Sequence, residues 1–242
     1  PIAVAFIILL ALFSGLMLPH SARAGDLTVR KTGLLPPTAE ELAWKNAHCI
    51  TTRQVALNRL GWERVDARRQ RDGLQPIAAA QAVAIGREVN AADGMIITPA
   101  NASWLPDNVD NSTLKYFPPV GDQGYLGSCA AFATTYYTMT HMVALARDID
   151  VKNGGYATRY SPKWTYNIIN HGVDGGSSPL AAYQVMMDHG CATWQDFPYD
   201  GSDYRSWCLD PAIWRKAINV RMNQVGSVTD LGTPTGQTNL KT

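Results

Sequence analysis

The chain has 242 residues, 46% of them hydrophobic and 17% charged, with 21 basic against 20 acidic side chains and a formal net charge of +1. That composition is globular and long enough to bury a sizeable core in one or two domains. Near-neutrality leaves no global field that argues for a nucleic acid or an acidic surface as partner, and no tandem repeat or low-complexity tract stands out.

Ile2 to Leu18 is almost wholly apolar and runs into Pro19-His20-Ser21-Ala22-Arg23-Ala24, where Ala22 and Ala24 give the small-x-small pattern of a signal-peptidase site before Gly25. Residues 1–24 are therefore expected to be a secretory signal, and the protein to be secreted or periplasmic and free of the membrane once the signal is removed. A retained anchor is the alternative, because the run approaches the length that spans a bilayer. Residues 25–100 read as a helical region. Thr38 with Glu41 three positions on forms a capping-box pattern ahead of Leu42, Ala43 and Ala47. Gly61 and Gly73 punctuate the region, Arg64, Arg68, Arg69 and Arg71 make a solvated basic face between them, and Ile77 to Val89 reads as an alanine-rich helix.

The chemistry concentrates in Pro118 to Phe132. A glycine-rich turn there gives way to an apolar run, and Cys129 stands at the change. A thiol in the first turn of a helix meets unpaired backbone N–H groups and the positive end of the dipole, both of which favour the nucleophilic thiolate. Gln123 precedes it across glycines that permit a fold-back, so its amide and the Cys129 N–H are candidate oxyanion donors for acyl transfer. Residues 130–146 are small or apolar on most sides, as in a helix at the centre of a domain.

This segment resembles the active-site run of papain-like cysteine peptidases, Gln-Gly-x-Cys-Gly-Ser-Cys-Trp-Ala-Phe. Seven of the nine specified positions match, as Gln123, Gly124, Gly127, Ser128, Cys129, Ala131 and Phe132, while Leu126 and Ala130 do not. Further landmarks follow in the family's order. Val109-Asp110 precedes the active-site loop, Tyr160-Ser161-Pro162 opens a helix, and Asp174-Gly175-Gly176 is similar to the family's Asn-Gly-Gly. Ala181 to Gly190 is a helix closed by glycine, and Phe197-Pro198-Tyr199 is similar to Tyr-Pro-Tyr. The resemblance implies that Gly175, Gly176 and Ser177 bind substrate, the second glycine admitting the peptide backbone because it has no side chain. Ser177 and Ser178 precede Pro179 where the family commonly has an aromatic, which implies a less aromatic pocket.

Leu126 and Val173 stand at the positions of two family half-cystines, so an apolar contact is expected in place of that disulfide. A bridge between Cys191 and Cys208 is expected instead, for an oxidising compartment, and Cys49 has no assigned role. The family's histidine and asparagine lie roughly 130 to 150 residues beyond the cysteine, a distance that runs past Thr242. None of the five histidines substitutes for that partner: His141, twelve residues along the same helix, is about 18 Å from Cys129.

The resulting expectation is an α+β papain-like fold, mostly its helical lobe, with the β-rich lobe largely outside this chain. Residues 1–24 are the signal, residues 25–100 a prosegment or accessory region of a zymogen, and residues 101–242 the first part of the peptidase domain of an exported, bacterial-type member. The activity implied is hydrolysis of peptide bonds through a Cys129 acyl-enzyme, with a peptide or protein substrate, no cofactor and no metal. Without the histidine and asparagine partners these residues alone are expected to be inactive. A non-catalytic binding or adhesion protein on the same scaffold and a thiol acyltransferase are the alternatives.

Overall fold

The computed structural model describes residues 5–8, 33–52, 55–56, 59–75, 96–97 and 108–241. Most of the signal-like run and the Ile77–Val89 stretch lie outside them. The described residues fall into two units. One takes residues 5–6, 33–49 and 111–225, and the other takes residues 7–8, the described parts of 50–110 and residues 226–241.

The first unit opens with helix α1, Ala39–His48. Thr38 caps it as the sequence predicts: its Oγ1 accepts from the Glu41 N–H at 3.2 Å, and Glu41 Oε2 accepts from the Thr38 N–H at 2.8 Å. Two of the N–H groups left open at a helix start are thereby satisfied. At the centre of the unit lies helix α3, residues 129–147. It starts as one α turn (Cys129–Ala131), widens to π winding over Phe132–Met139 and returns to α over Thr140–Arg147. The wide stretch is rich in threonine, whose hydroxyls compete for helix carbonyls. Thr134 Oγ1 donates to Ala130 O at 2.8 Å, and Thr138 Oγ1 donates to Ala133 O, five residues back, at 2.9 Å. Asp148, left-handed at φ 56°, ends the helix.

Helices α4 (Pro162–Ile169) and α5 (Pro179–Asp188) pack against α3. Each begins with proline, whose missing N–H costs nothing in a first turn. Ala130, Ala131, Phe132, Tyr136 and Met139 of α3, Trp164 and Tyr166 of α4, and Leu180, Ala182, Tyr183 and Met186 of α5 are all buried. Truncating an aromatic of this kind, such as Trp164, to alanine costs about 3–5 kcal/mol. Trp164 also donates through Nε1 to Gly190 O at 3.1 Å and meets Trp214 of α6 (Pro211–Ile218) at 4.3 Å between ring centroids. Lys163 is nearly buried and reaches Asp203 at 2.6 Å, which removes the cost of an unpaired interior charge. Burial pushes the Asp203 carboxyl up, but Lys163, Ser206 and the Arg205 N–H outweigh it and hold it well below the usual carboxylate range.

In the second unit, helix α2 (Arg59–Arg71) carries Arg68, Arg69 and Arg71 in its last turn and is followed by Gly73, φ 72°. Gly61 does not interrupt it, contrary to the expected break: a lone interior glycine costs a helix only about 1 kcal/mol. Strands β3 (Val55–Ala56) and β4 (Ile96–Ile97) pair antiparallel, and α7 (Pro234–Lys241) closes the described chain. Three further short strands, Ala5–Ile8 (β1), Cys49–Thr52 (β2) and Gln224–Val228 (β5), each counted partly in one unit and partly in the other, form a sheet in the order β1-β5-β2. Among the described residues, no helix is long and apolar enough to cross a membrane. The mainly helical arrangement is compatible with part of a papain-like fold.

Two expectations about sulfur chemistry are corrected. Cys191 and Cys208 are both free thiols. Cys191 is sealed in the core with its Sγ 3.9 Å from Ser161 O, while Cys208 lies in the segment before α6 with its Sγ 3.8 Å from Asp210 O. Separation along the chain carried no information about that difference in depth. Nor does an apolar contact replace the other bridge, because Leu126 is buried whereas Val173 is 64% exposed.

Candidate active site

Cys129 opens α3, and Ser128 is the residue before its first turn. A serine there ordinarily caps the helix with its hydroxyl. Here it does not: Ser128 Oγ lies 2.6 Å from Tyr199 Oη. The first backbone N–H groups thus remain directed at the thiol, and those of Cys129 and Ala130 favour its anion. Half-burial outweighs them and pushes the Cys129 thiol above its ordinary value. The expected bias toward thiolate is therefore present in the donors but overridden by desolvation, and a partner cation is needed to reverse the sign.

Gln123 lies in the same loop. Its Nε2 donates to Leu126 O at 2.9 Å, folding the loop back on itself as the glycines suggested. A primary amide carries two N–H groups, so one remains for another acceptor. The loop is fastened from outside by Tyr199, whose hydroxyl donates to Gln123 O at 2.8 Å while contacting Ser128 Oγ. Burial pushes the Tyr199 hydroxyl up to about 12, so it keeps the proton that this bond requires.

Facing the loop is the turn that carries Gly175, Gly176 and Ser177. Gly127 and Gly176 approach so closely that a Cβ on Gly127 would lie 3.1 Å from Gly176 N. Asp174 joins the two stretches, its Oδ1 accepting from the Gly127 N–H at 2.7 Å and from the Tyr166 hydroxyl at 2.5 Å. Gly176 has φ 98°, a region open to glycine. Gly175 is exposed, and Ser177 is buried.

The edge of this turn already holds an extended stretch of the same chain. The Ser177 N–H donates to Gly33 O at 2.8 Å, and the Leu35 N–H donates to Ser177 O at 3.1 Å, making a parallel bridge between Leu34 and Ser177. A Cβ on Gly176 would fall 2.4 Å from Gly33 O, and one on Gly33 would fall 2.0 Å from Gly127 O. Backbone pairing therefore runs through Ser177, and the glycines supply the clearance.

Three of the four described histidines are engaged elsewhere, and the fourth is exposed. His141 Nδ1 is 3.1 Å from Tyr116 O, His189 meets the Trp214 ring edge-on, His48 lies on Trp44, and His171 is an exposed turn residue with φ 53°. No group of three potential metal ligands occurs among the described residues. The resemblance pointed to Cys129, Gln123 and the glycines. Asp174, Tyr166 and Tyr199 were missed as site residues, because what matters is the partner of each side chain across 47, 8 and 71 positions.

No protein-family model matches the chain. It is similar to Cysteine proteinase 2 of Entamoeba histolytica, with 30% identity over 104 residues that cover 40% of this chain and 30% of that protein. The match thus spans under a third of that relative's length and supports a distant relationship to cysteine peptidases.

Proposed function

We propose that this chain carries the nucleophile side of a papain-like cysteine endopeptidase. The observation that carries the reading is the pairing of Gly33–Leu35 with Ser177: beside the Cys129 loop, the turn accepts an extended peptide backbone through both its N–H and its C=O. In the reaction, the Cys129 sulfur attacks a peptide carbonyl carbon while the Cys129 N–H and the second N–H of Gln123 hold the developing oxyanion. The C–N bond breaks, the amine leaves with a proton from an imidazolium, and water then hydrolyses the thioester to free the thiol. This reading calls for a histidine and an orienting amide other than those described, and without them the thiol is too basic to react well.

Gly33–Leu35 covers the edge that a substrate would use, so residues 25–100 act as a prosegment whose displacement opens the site. The run Ile2–Leu18 with Ala22 and Ala24 supports export; an N-terminus of mature protein at Gly25 or beyond tests it. A vinyl-sulfone or epoxide peptide that labels Cys129 in the full-length protein, together with cleavage of a peptide library, is the expected result. The raised thiol and the engaged histidines favour the rival, a non-catalytic peptide-binding protein on this scaffold. Binding of library peptides with neither cleavage nor labelling would establish that rival.

A further inference from the structure

Two stretches must keep a fixed separation for the proposed chemistry: the loop that ends in Cys129 and the turn whose Ser177 backbone pairs with peptide. Neither disulfide nor apolar contact joins them at Leu126 and Val173, the first buried and the second exposed. One carboxylate oxygen joins them. Asp174 Oδ1 receives the Gly127 N–H, two residues before the thiol, and the hydroxyl of Tyr166, which is fully buried in α4 against Leu126 and Ala131.

We propose that Asp174 is the positioning residue of this site, a carboxylate clamp that holds the cysteine loop, helix α4 and the peptide-pairing turn at the spacing the substrate backbone needs. The clamp rests on the peptidase reading for its purpose but not for its existence. Tyr166 is a dependable donor, because burial and then the adjacent Asp174 push its hydroxyl well above the usual tyrosine range. The Gly127 N–H is the sensitive end. With its backbone within van der Waals reach of Gly176, a loss of the bond lets the two stretches separate beside Ser177, where an extended backbone pairs.

The test compares wild type, Asp174→Asn, Asp174→Ala and Tyr166→Phe in the full-length protein. Asparagine keeps a neutral Oδ1 acceptor in the same place, and phenylalanine removes only one donor. Amide hydrogen exchange at Gly127 is expected to quicken at least tenfold in Asp174→Ala, to stay within threefold of wild type in Asp174→Asn, and to lie between in Tyr166→Phe. Protection in Pro179–Asp188 should be unchanged in all of them, which separates the effect from unfolding. Peptide turnover is expected to show KM raised about tenfold in Asp174→Ala with kcat changed less than threefold, and recovery in Asp174→Asn. Unchanged Gly127 protection in Asp174→Ala, or an asparagine variant as impaired as alanine, overturns the clamp. Because exchange needs no catalysis, a wild type inert to peptides but with Asp174-dependent protection sinks the peptidase reading while the clamp stands.

Discussion

Cys129 and Cys191 both sit just past a tight glycine, yet one opens a helix and the other follows one. Cys129 begins α3 and is half-buried, with the N–H groups of Ala130 and its own residue turned toward the sulfur. Cys191 follows α5 after Gly190, whose φ of 70° lets the chain pass where a Cβ would lie 1.9 Å from Ala217 O. Its thiol is wholly buried and faces the carbonyls of Ser161 and Ala192. Burial raises both thiols, so burial does not distinguish them. The number of donors does: the helix start turns the N–H groups of both Cys129 and Ala130 toward its sulfur, whereas at Cys191 only the Ser161 backbone favours the anion, under complete burial and beside carbonyls that stabilise the protonated thiol.

The largest effect should therefore come from exchanging sulfur for oxygen at only one of these positions. Cys129→Ser in the full-length protein is expected to lower peptide turnover by more than about 1000-fold, since removal of a covalent nucleophile leaves only binding and oxyanion stabilisation. Cys191→Ala is expected to leave turnover within twofold and to cost about 1 kcal/mol of stability for the small cavity it creates, measured by urea unfolding. Turnover that tracks Cys191 rather than Cys129 would reverse the assignment.

A smaller loss is expected at Gln123, the proposed second oxyanion donor in the loop that leads to Cys129. Gln123→Ala should reduce kcat about 100-fold with little change in KM, the usual size for one oxyanion donor. It also removes the Nε2 bond to Leu126 O, so Gln123→Glu is the sharper variant: it keeps the shape and replaces the donor with an acceptor. A glutamate variant as active as wild type would show that Gln123 only shapes the loop.

Local chemistry was legible in the sequence. Thr38 and Glu41 are three residues apart and cap each other, Pro162 and Pro179 mark helix starts, and the glycines around Cys129 announce the fold-back before it. Depth and long-range pairing were not. The pattern that placed Leu126 and Val173 as former half-cystines said nothing of one being buried and the other exposed, nor that Asp174 beside them would carry the link. The same limit misassigned Cys191 and Cys208, because a separation along the chain holds no record of depth. The π winding of Phe132–Met139 also escaped notice: threonine and tyrosine at these positions suit an α-helix about as well, and only the carbonyls they meet in the folded chain decide between the two.

The finest test of the contrast is the pH dependence of alkylation. The thiol of Cys129 lies above its ordinary value, so its folded form holds the proton more tightly than the unfolded chain does, and the reactive thiolate grows in only as pH rises through that raised value. In the chain as described, iodoacetamide should label Cys129 more slowly at pH 7 than an unstructured cysteine, with a rate still climbing past pH 9. Cys191, wholly buried, should stay unlabelled until the protein unfolds. Addition of the proposed imidazole partner in the full-length protein should move the Cys129 curve to lower pH and leave Cys191 silent, because an adjacent cation favours the thiolate whereas burial alone opposes it. A Cys129 curve that stays above pH 9 in the full-length protein would mean that no cation reaches the sulfur, and the peptide-binding reading would then take precedence over proteolysis.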